Sequence, residues 1–347
     1  MTGGDGVAED DVYQRLFQAY AAFKVDMTRE TMMEVLRLQF TPEEAELAVK
    51  VGFRPKRLNA IARKTGADRG ALQRMLTTMG RKGTMYATPG AQDPEYKLMG
   101  LGGPGLIETG GWRQTRFAHS VPLMKALCRW QIDLAQNWFP SLGIPVSRVW
   151  TTPAALPADA RPEENLAQIM KKAGSWGVST CSCRLPHRVS DPGHSCTQDL
   201  ETCLFMGEMA RWGAENGMCR LITYEEALEV VRRSNASGLV HTHDPSEFLC
   251  NCCRDCCIFF VSLGLTGTLP LDPSEFVAAV DEDTCSACSD CTDRCPVNAI
   301  SIDGAASIDA GKCLGCGVCY PNCPSGSIRL VRRAAAGEGA VATTRVM

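Results

Sequence analysis

The sequence predicts an α+β chain of several domains. A helical N-terminal part ends in a strand pair, a cysteine-rich middle is built of loops and helices, and the C-terminal segment carries a two-fold internal repeat. Three observations lead there. Apolar residues recur at helical spacing as far as Gly80. All 19 cysteines lie at or beyond Cys128. Near the C-terminus a four-cysteine pattern occurs twice. A length of 347 residues suits two or three domains.

Taken in order, residues 11–39 read as one helix, with Val12, Leu16, Ala19, Tyr20 and Phe23 on one face. Thr41-Pro42-Glu43-Glu44 opens the next: Thr41 as N-cap, proline at the first position, acids in the first turn. Helices over about 56–64 and 69–80 follow, closed by Gly66 and Gly80. Residues 83–87 and 95–98 then form a hairpin. Three helices and a hairpin resemble a winged helix-turn-helix, so a helical segment at 1–40 precedes a winged-helix-like domain at 41–98. Residues 99–115 are glycine-rich and read as loop, and 117–139 as a helix bearing Trp130 and Trp138. This linker and helix occupy 99–162, with a Pro/Ala-rich connector from 151. A cysteine-rich domain spans 163–270, with helices near 163–173, 199–212 and 224–233. The repeat domain covers 271–333, and 334–347 is expected to be a disordered tail.

Composition excludes several classes. Net charge is −3, so the chain as a whole is no polyelectrolyte. No stretch approaches the roughly 18 apolar residues of a membrane helix. The N-terminus lacks the basic-then-apolar order of a signal peptide, and a cytoplasmic location is expected. There is no P-loop and no GxGxxG after a strand; Gly100–Gly105 contains Pro104 and reads as loop. With no sign of a flavin site, hydride chemistry by this chain alone is not expected.

The chemistry lies in the cysteines. Cys285-x2-Cys288-x2-Cys291-x3-Cys295-Pro296 recurs as Cys313-x2-Cys316-x2-Cys319-x3-Cys323-Pro324. A 4Fe-4S cube needs four thiolates. Three come from one tight loop, while the fourth of each run is carried to the other cluster. One site is therefore Cys285, Cys288, Cys291 and Cys323; the other is Cys313, Cys316, Cys319 and Cys295. Zinc also takes paired CxxC, but does not account for two equal runs of this form. The segment resembles bacterial-type ferredoxins with two 4Fe-4S clusters, which implies one-electron transfer at low potential.

A second set comprises Cys181, Cys183, Cys196 and Cys203; a third Cys250, Cys252, Cys253, Cys256 and Cys257. His187, His194, His241 and His243 lie among them. Soft thiolates select zinc, copper(I) or iron-sulfur. One or two further 4Fe-4S clusters are expected, with Cys181, Cys183, Cys196 and Cys203 as one foursome and four of the later five as another, or a mixed grouping. Structural zinc and a thiol–disulfide role are the alternatives. The order CSCR, Cys196, Cys203, then CNCC-x2-CC resembles a group of ferredoxin-like iron-sulfur proteins of anaerobes; that implies redox work without a defined reaction. His241 is either a ligand or proton donor, or a hydrogen-bonded loop residue. Arg184 and Arg254 either offset cluster charge or are surface groups. Cys128 and Cys219 read as core residues.

Between Lys50 and Lys82 ten basic residues face one acid, Asp68. The helix from 69 offers Arg69, Gln73, Arg74 and Thr77. Three readings result. The first is an electron-conduit subunit of an anaerobic oxidoreductase complex, partnered by a flavoprotein or a catalytic subunit. The second is a redox-sensing winged-helix regulator that binds DNA. The third is an iron-sulfur reductase with an open iron site in the middle domain.

Overall fold

In the computed structural model, which describes residues 5–102, 105–112, 121–244 and 246–333, the helix expected over 11–39 is broken in two: Asp5–Tyr20 and Arg29–Gln39. Two 3-10 turns, Ala21–Phe23 and Asp26–Thr28, separate them, and Lys24 reverses the chain with φ 57°. Aromatic packing explains the break. It brings Tyr20 and Phe23 edge-on to Phe53, with ring centroids 5.1 and 5.5 Å away, and Tyr20 Oη donates to the Met99 carbonyl at 2.8 Å.

Thr41 caps the helix Pro42–Val51 reciprocally: Glu44 N donates to Thr41 Oγ1, and Thr41 N to Glu44 Oε2. Strand β1 (Lys56–Arg57), helices Leu58–Thr65 and Arg69–Lys82, and strands β2 (Met85–Ala87) and β3 (Glu95–Leu98) follow. The strands form an antiparallel sheet in the order β1-β3-β2.

The glycine-rich stretch expected to be loop holds a helix, Leu106–Trp112. Burial of Leu106 and Ile107, with Gly105 N donating to Glu108 Oε2 at 2.9 Å, overrides the weak glycine propensity. The helix expected over 117–139 is Val121–Asp133, a π turn Leu134–Trp138 and a last turn Phe139–Leu142; residues 113–120 lie outside the described residues. Pro140 has no N–H to give the turn before it, and the widened turn accommodates that. Trp130 is fully buried here, its Nε1 donating to Thr28 Oγ1 at 3.3 Å.

The middle is not the loop-rich region expected. Seven strands, β4 (Ser147–Trp150), β5 (Trp176–Thr180), β6 (Glu201–Met206), β7 (Arg220–Ile222), β8 (Val240–Thr242), β9 (Phe248–Cys252) and β10 (Leu271–Asp272), form one sheet in the order β10-β4-β8-β9-β6-β5-β7. Only β10 and β4 are parallel. Central strands of the sheet escape sequence reading because they are buried on both faces. In β6, Cys203, Leu204, Phe205 and Met206 are all buried, so no apolar/polar alternation shows. The helix expected near 199–212 is this strand followed by a helix Gly207–Glu215. Tyr224–Ala236 is helical as expected, capped by Thr223.

In the C-terminal segment β11 (Phe276–Val280) pairs antiparallel with β14 (Ile328–Arg332), and β12 (Ile300–Asp303) with β13 (Ala305–Ile308). Arg332 ties this segment to the middle through two bonds to the buried carboxylate of Glu164, 2.8 and 3.0 Å. The tail from Ala334 lies outside the described residues.

Trp130 joins the broken first helix to the following bundle. Trp130→Ala is expected to destabilise the protein by about 3–5 kcal/mol, read as the shift of the urea unfolding midpoint at unchanged slope.

Candidate metal centres

The two C-terminal runs fold around two cavities. One is lined by Cys285, Cys288, Cys291 and Cys323, the other by Cys295, Cys313, Cys316 and Cys319. Each cavity thus takes three sulfurs from one run and the fourth from the other. Isoleucines and alanines cover both: Ile302, Ala306 and Ile328 at the first, Ala278, Ile300, Ile308 and Leu330 at the second. Backbone N–H groups point at sulfur: Ala306 N at Cys285 Sγ (3.4 Å), Ala299 N at Cys295 Sγ (3.2 Å), Ala278 N and Gly315 N at Cys313 Sγ (3.5 and 3.4 Å). Such donors favour a charged sulfur and set the potential of anything bound to it. Burial pushes the Cys316 thiol up to about 12. Cys288 is exposed, so the first cavity lies at the surface.

The middle cysteines are collected by sheet register. Ser179 pairs with Cys203 and Thr242 with Cys250, while Leu204 opposite Leu249 sets Cys203 beside Cys250. Cys181 and Cys183 follow β5, and Cys257 precedes the helix Ile258–Thr266. Six sulfurs close a ring of hydrogen bonds. Cys181 contacts Cys183 and Cys203, Cys203 contacts Cys250, Cys250 contacts Cys252, Cys257 donates to Cys252 at 3.1 Å, and Cys257 returns to Cys183. Cys181 and Cys252 each sit between two thiol neighbours whose hydrogen bonds hold them well below the ordinary thiol value. Cys196 lies with Cys253, Cys256 and His194; Cys183 also packs against this group, and Cys253 lines the ring cavity as well.

Arg184 is the charge that accompanies this ring. It is fully buried and donates through Nη2 to Thr202 Oγ1 (2.6 Å) and the Asn251 carbonyl (2.8 Å). Burial opposes its charge, but the sulfurs of Cys181, Cys253, Cys203 and Cys252 hold its proton above the ordinary guanidinium range. Among the described residues its Nε and Nη1 find no partner. Two unpartnered cationic N–H groups beside six sulfurs fit an anionic iron-sulfur group, which would satisfy them. The nine-residue helix Ile258–Thr266 starts at Cys257 and turns its positive end the same way. Arg254 is exposed.

His241 is buried and bonds through Nδ1 to Asn251 Oδ1 at 2.5 Å; burial lowers its pKa to about 4, so it is neutral. Asn251 Nδ2 in turn donates to the Thr202 carbonyl. His241 thus fixes Asn251, whose carbonyl holds Arg184. Cys128 and Cys219 are buried; Cys219 shares a core cluster with Cys181 and Cys203, and burial raises its pKa to about 12. The sequence reading missed His194 as a partner of three cysteines. Its one signal is the spacing His194-x-Cys196, which says nothing of the other two.

Comparison with known families matches residues 284–327 to the 4Fe-4S dicluster domain. No curated protein and no solved structure matches the chain. The matched domain and the cysteine content point to iron-sulfur electron transfer. No helix among the described residues is long and apolar enough to cross a membrane.

Gly315 has φ 66°, and a Cβ there would stand 2.0 Å from the Phe276 carbonyl oxygen and 2.3 Å from Ser274 Oγ. Gly315→Ala is therefore expected to displace the Cys313–Cys319 loop. Iron in the anaerobically purified protein should fall by about 4 per chain; a value unchanged from wild type would contradict the arrangement.

Proposed function

We propose that the chain is an electron-conduit protein in which a surface site, an inner C-terminal site and the six-cysteine ring stand in series. When loaded, 4Fe-4S groups supply one-electron reduction and oxidation at each. The eight C-terminal cysteines hold two of them, and four of the six ring cysteines hold a third. Cys252 and Cys257 touch, so they share one corner of that site.

One observation carries this reading. Leu314, Cys316 and Val318, on the loop of the inner C-terminal site, belong to the same apolar core as Cys252, Cys257 and Ile258 of the ring. The connector reinforces the contact: Thr152 N donates to the Cys316 carbonyl at 3.0 Å and Thr151 Oγ1 to the Gly315 carbonyl at 2.7 Å. Exposed Cys288 marks the end at which a partner exchanges electrons. The basic residues Arg69, Arg74 and Arg81 lie exposed on the helix Arg69–Lys82, a charge that suits docking on an acidic flavoprotein or catalytic subunit.

A second reading, an iron-sulfur reductase, is favoured by one feature. A cavity of about 780 Å³ shares Glu108, His243, Ile258 and Phe259 with the lining of the ring. Trp138, Phe139 and Trp150 line the rest, with the Arg148 guanidinium 4.3 Å above Trp150. A small acceptor held there would lie against the ring, and turnover without a second protein would distinguish a reductase from a conduit.

Iron and sulfide analysis of the anaerobically purified chain, with EPR of the reduced protein, tests the proposal. About 12 Fe per chain are expected, falling to about 8 in Cys181→Ser/Cys252→Ser. A wild type with about 8 Fe, unaltered by that double substitution, would remove the ring from the path.

A further inference from the structure

We infer that His194, Cys196, Cys253 and Cys256 form a mononuclear metal site of Cys3His type, for zinc, separate from the iron-sulfur groups. The inference goes beyond the electron-transfer reading and does not rest on it. Three donors, His194, Cys196 and Cys256, converge from two segments, and Cys253 stands beside Cys196. His194 and Cys196 come from the loop after the helix Arg184–Ser190, and Cys253 and Cys256 from the turn after β9. His194 Nε2 lies 3.0 Å from Cys256 Sγ, and Cys196 Sγ lies 3.9 Å from Cys253 Sγ. The donor atoms of His194, Cys196 and Cys256 all lie within 4.8 Å of one another.

The sulfur separation suits a single ion. With Zn–S near 2.3 Å and tetrahedral angles, two thiolates on one zinc stand about 3.8 Å apart. The Cys196–Cys253 separation matches that value.

The surroundings suit a closed structural site. Cys196, Cys253 and Cys256 are buried, and Leu239 packs against them. Arg188 fastens the loop from outside, its Nε donating to the Cys196 carbonyl at 3.2 Å and its Nη2 to the Gln198 carbonyl. Asp191 shapes it, accepting from Gly193 N at 2.9 Å through Oδ1 and from His194 N at 3.0 Å through its carbonyl. Four protein donors leave no open position, so the ion would clamp the 191–198 loop to the 253–256 turn rather than act on substrate. Three thiolates and one divalent ion leave a net charge of −1 beside Arg184. Imidazole with thiolates favours zinc over ferrous iron on ligand type and on intrinsic affinity.

Metal analysis and zinc-edge X-ray absorption on the full chain, purified anaerobically with its iron in place, test the inference. About one zinc per chain is expected, with three sulfurs at about 2.3 Å and one nitrogen at about 2.0 Å. His194→Ala should lower zinc retention against a chelator at least tenfold while iron content and the reduced EPR signal stay at wild-type level. His194→Cys should restore retention with a shell of four sulfurs. Absence of zinc, a wild-type shell without nitrogen, or loss of about 4 Fe on Cys256→Ser would overturn it. Because iron and EPR are read in the same samples, loss of the iron-sulfur reading would be seen separately.

Discussion

Buried thiolate charge is the constraint to which the rest of the molecule answers. Sulfur anions in a dry core need cations, N–H donors or metal close by. The chain supplies Arg184 with unpartnered N–H groups, a helix whose positive end starts at Cys257, and main-chain amides aimed at Cys285, Cys295 and Cys313. The sheet is arranged around the same need. Its register brings β5, β6, β8 and β9 together so that Cys203 of β6 and Cys250 and Cys252 of β9 meet Cys181 and Cys183, which follow β5. The buried His241–Asn251 pair fixes the carbonyl that holds the Arg184 guanidinium.

This constraint explains what could be read from the sequence. The C-terminal cysteines were legible because their grouping is local: a tight loop supplies three sulfurs, and the turn after each run sends the fourth to the other cavity. The middle cysteines stood out in the sequence, but their spatial grouping did not. Cys203 and Cys250 are neighbours only through strand register, and Cys196 joins Cys253 through a loop fold, neither of which spacing encodes. The seven-stranded sheet itself went unread because double-sided burial removes alternation from strands such as β6. A helix signal with local chemistry, the cap at Thr41, was read at the right residue. Breaks caused by distant packing, as at Lys24, were not.

The sites differ in their surroundings. One end is wet, at Cys288. Leu314 and Val318 belong to the same apolar core as Cys252 and Cys257, and Thr151 and Thr152 bond to the loop that carries Cys316. The far end meets the aromatic cavity across His243 and Glu108. The match to a 4Fe-4S dicluster domain covers the wet end and the inner C-terminal site, while the ring and the cavity belong to a part of the chain with no matched relative.

The central claim is that iron-sulfur groups occupy three separate sulfur nests in one chain. Crystals grown anaerobically, with anomalous diffraction recorded on either side of the iron absorption edge, test it most directly. Three iron-centred peaks are predicted, at Cys285/Cys288/Cys291/Cys323, at Cys295/Cys313/Cys316/Cys319 and within the six-cysteine ring. Iron at the two C-terminal positions alone, with the ring free of iron in fully loaded protein, would contradict it.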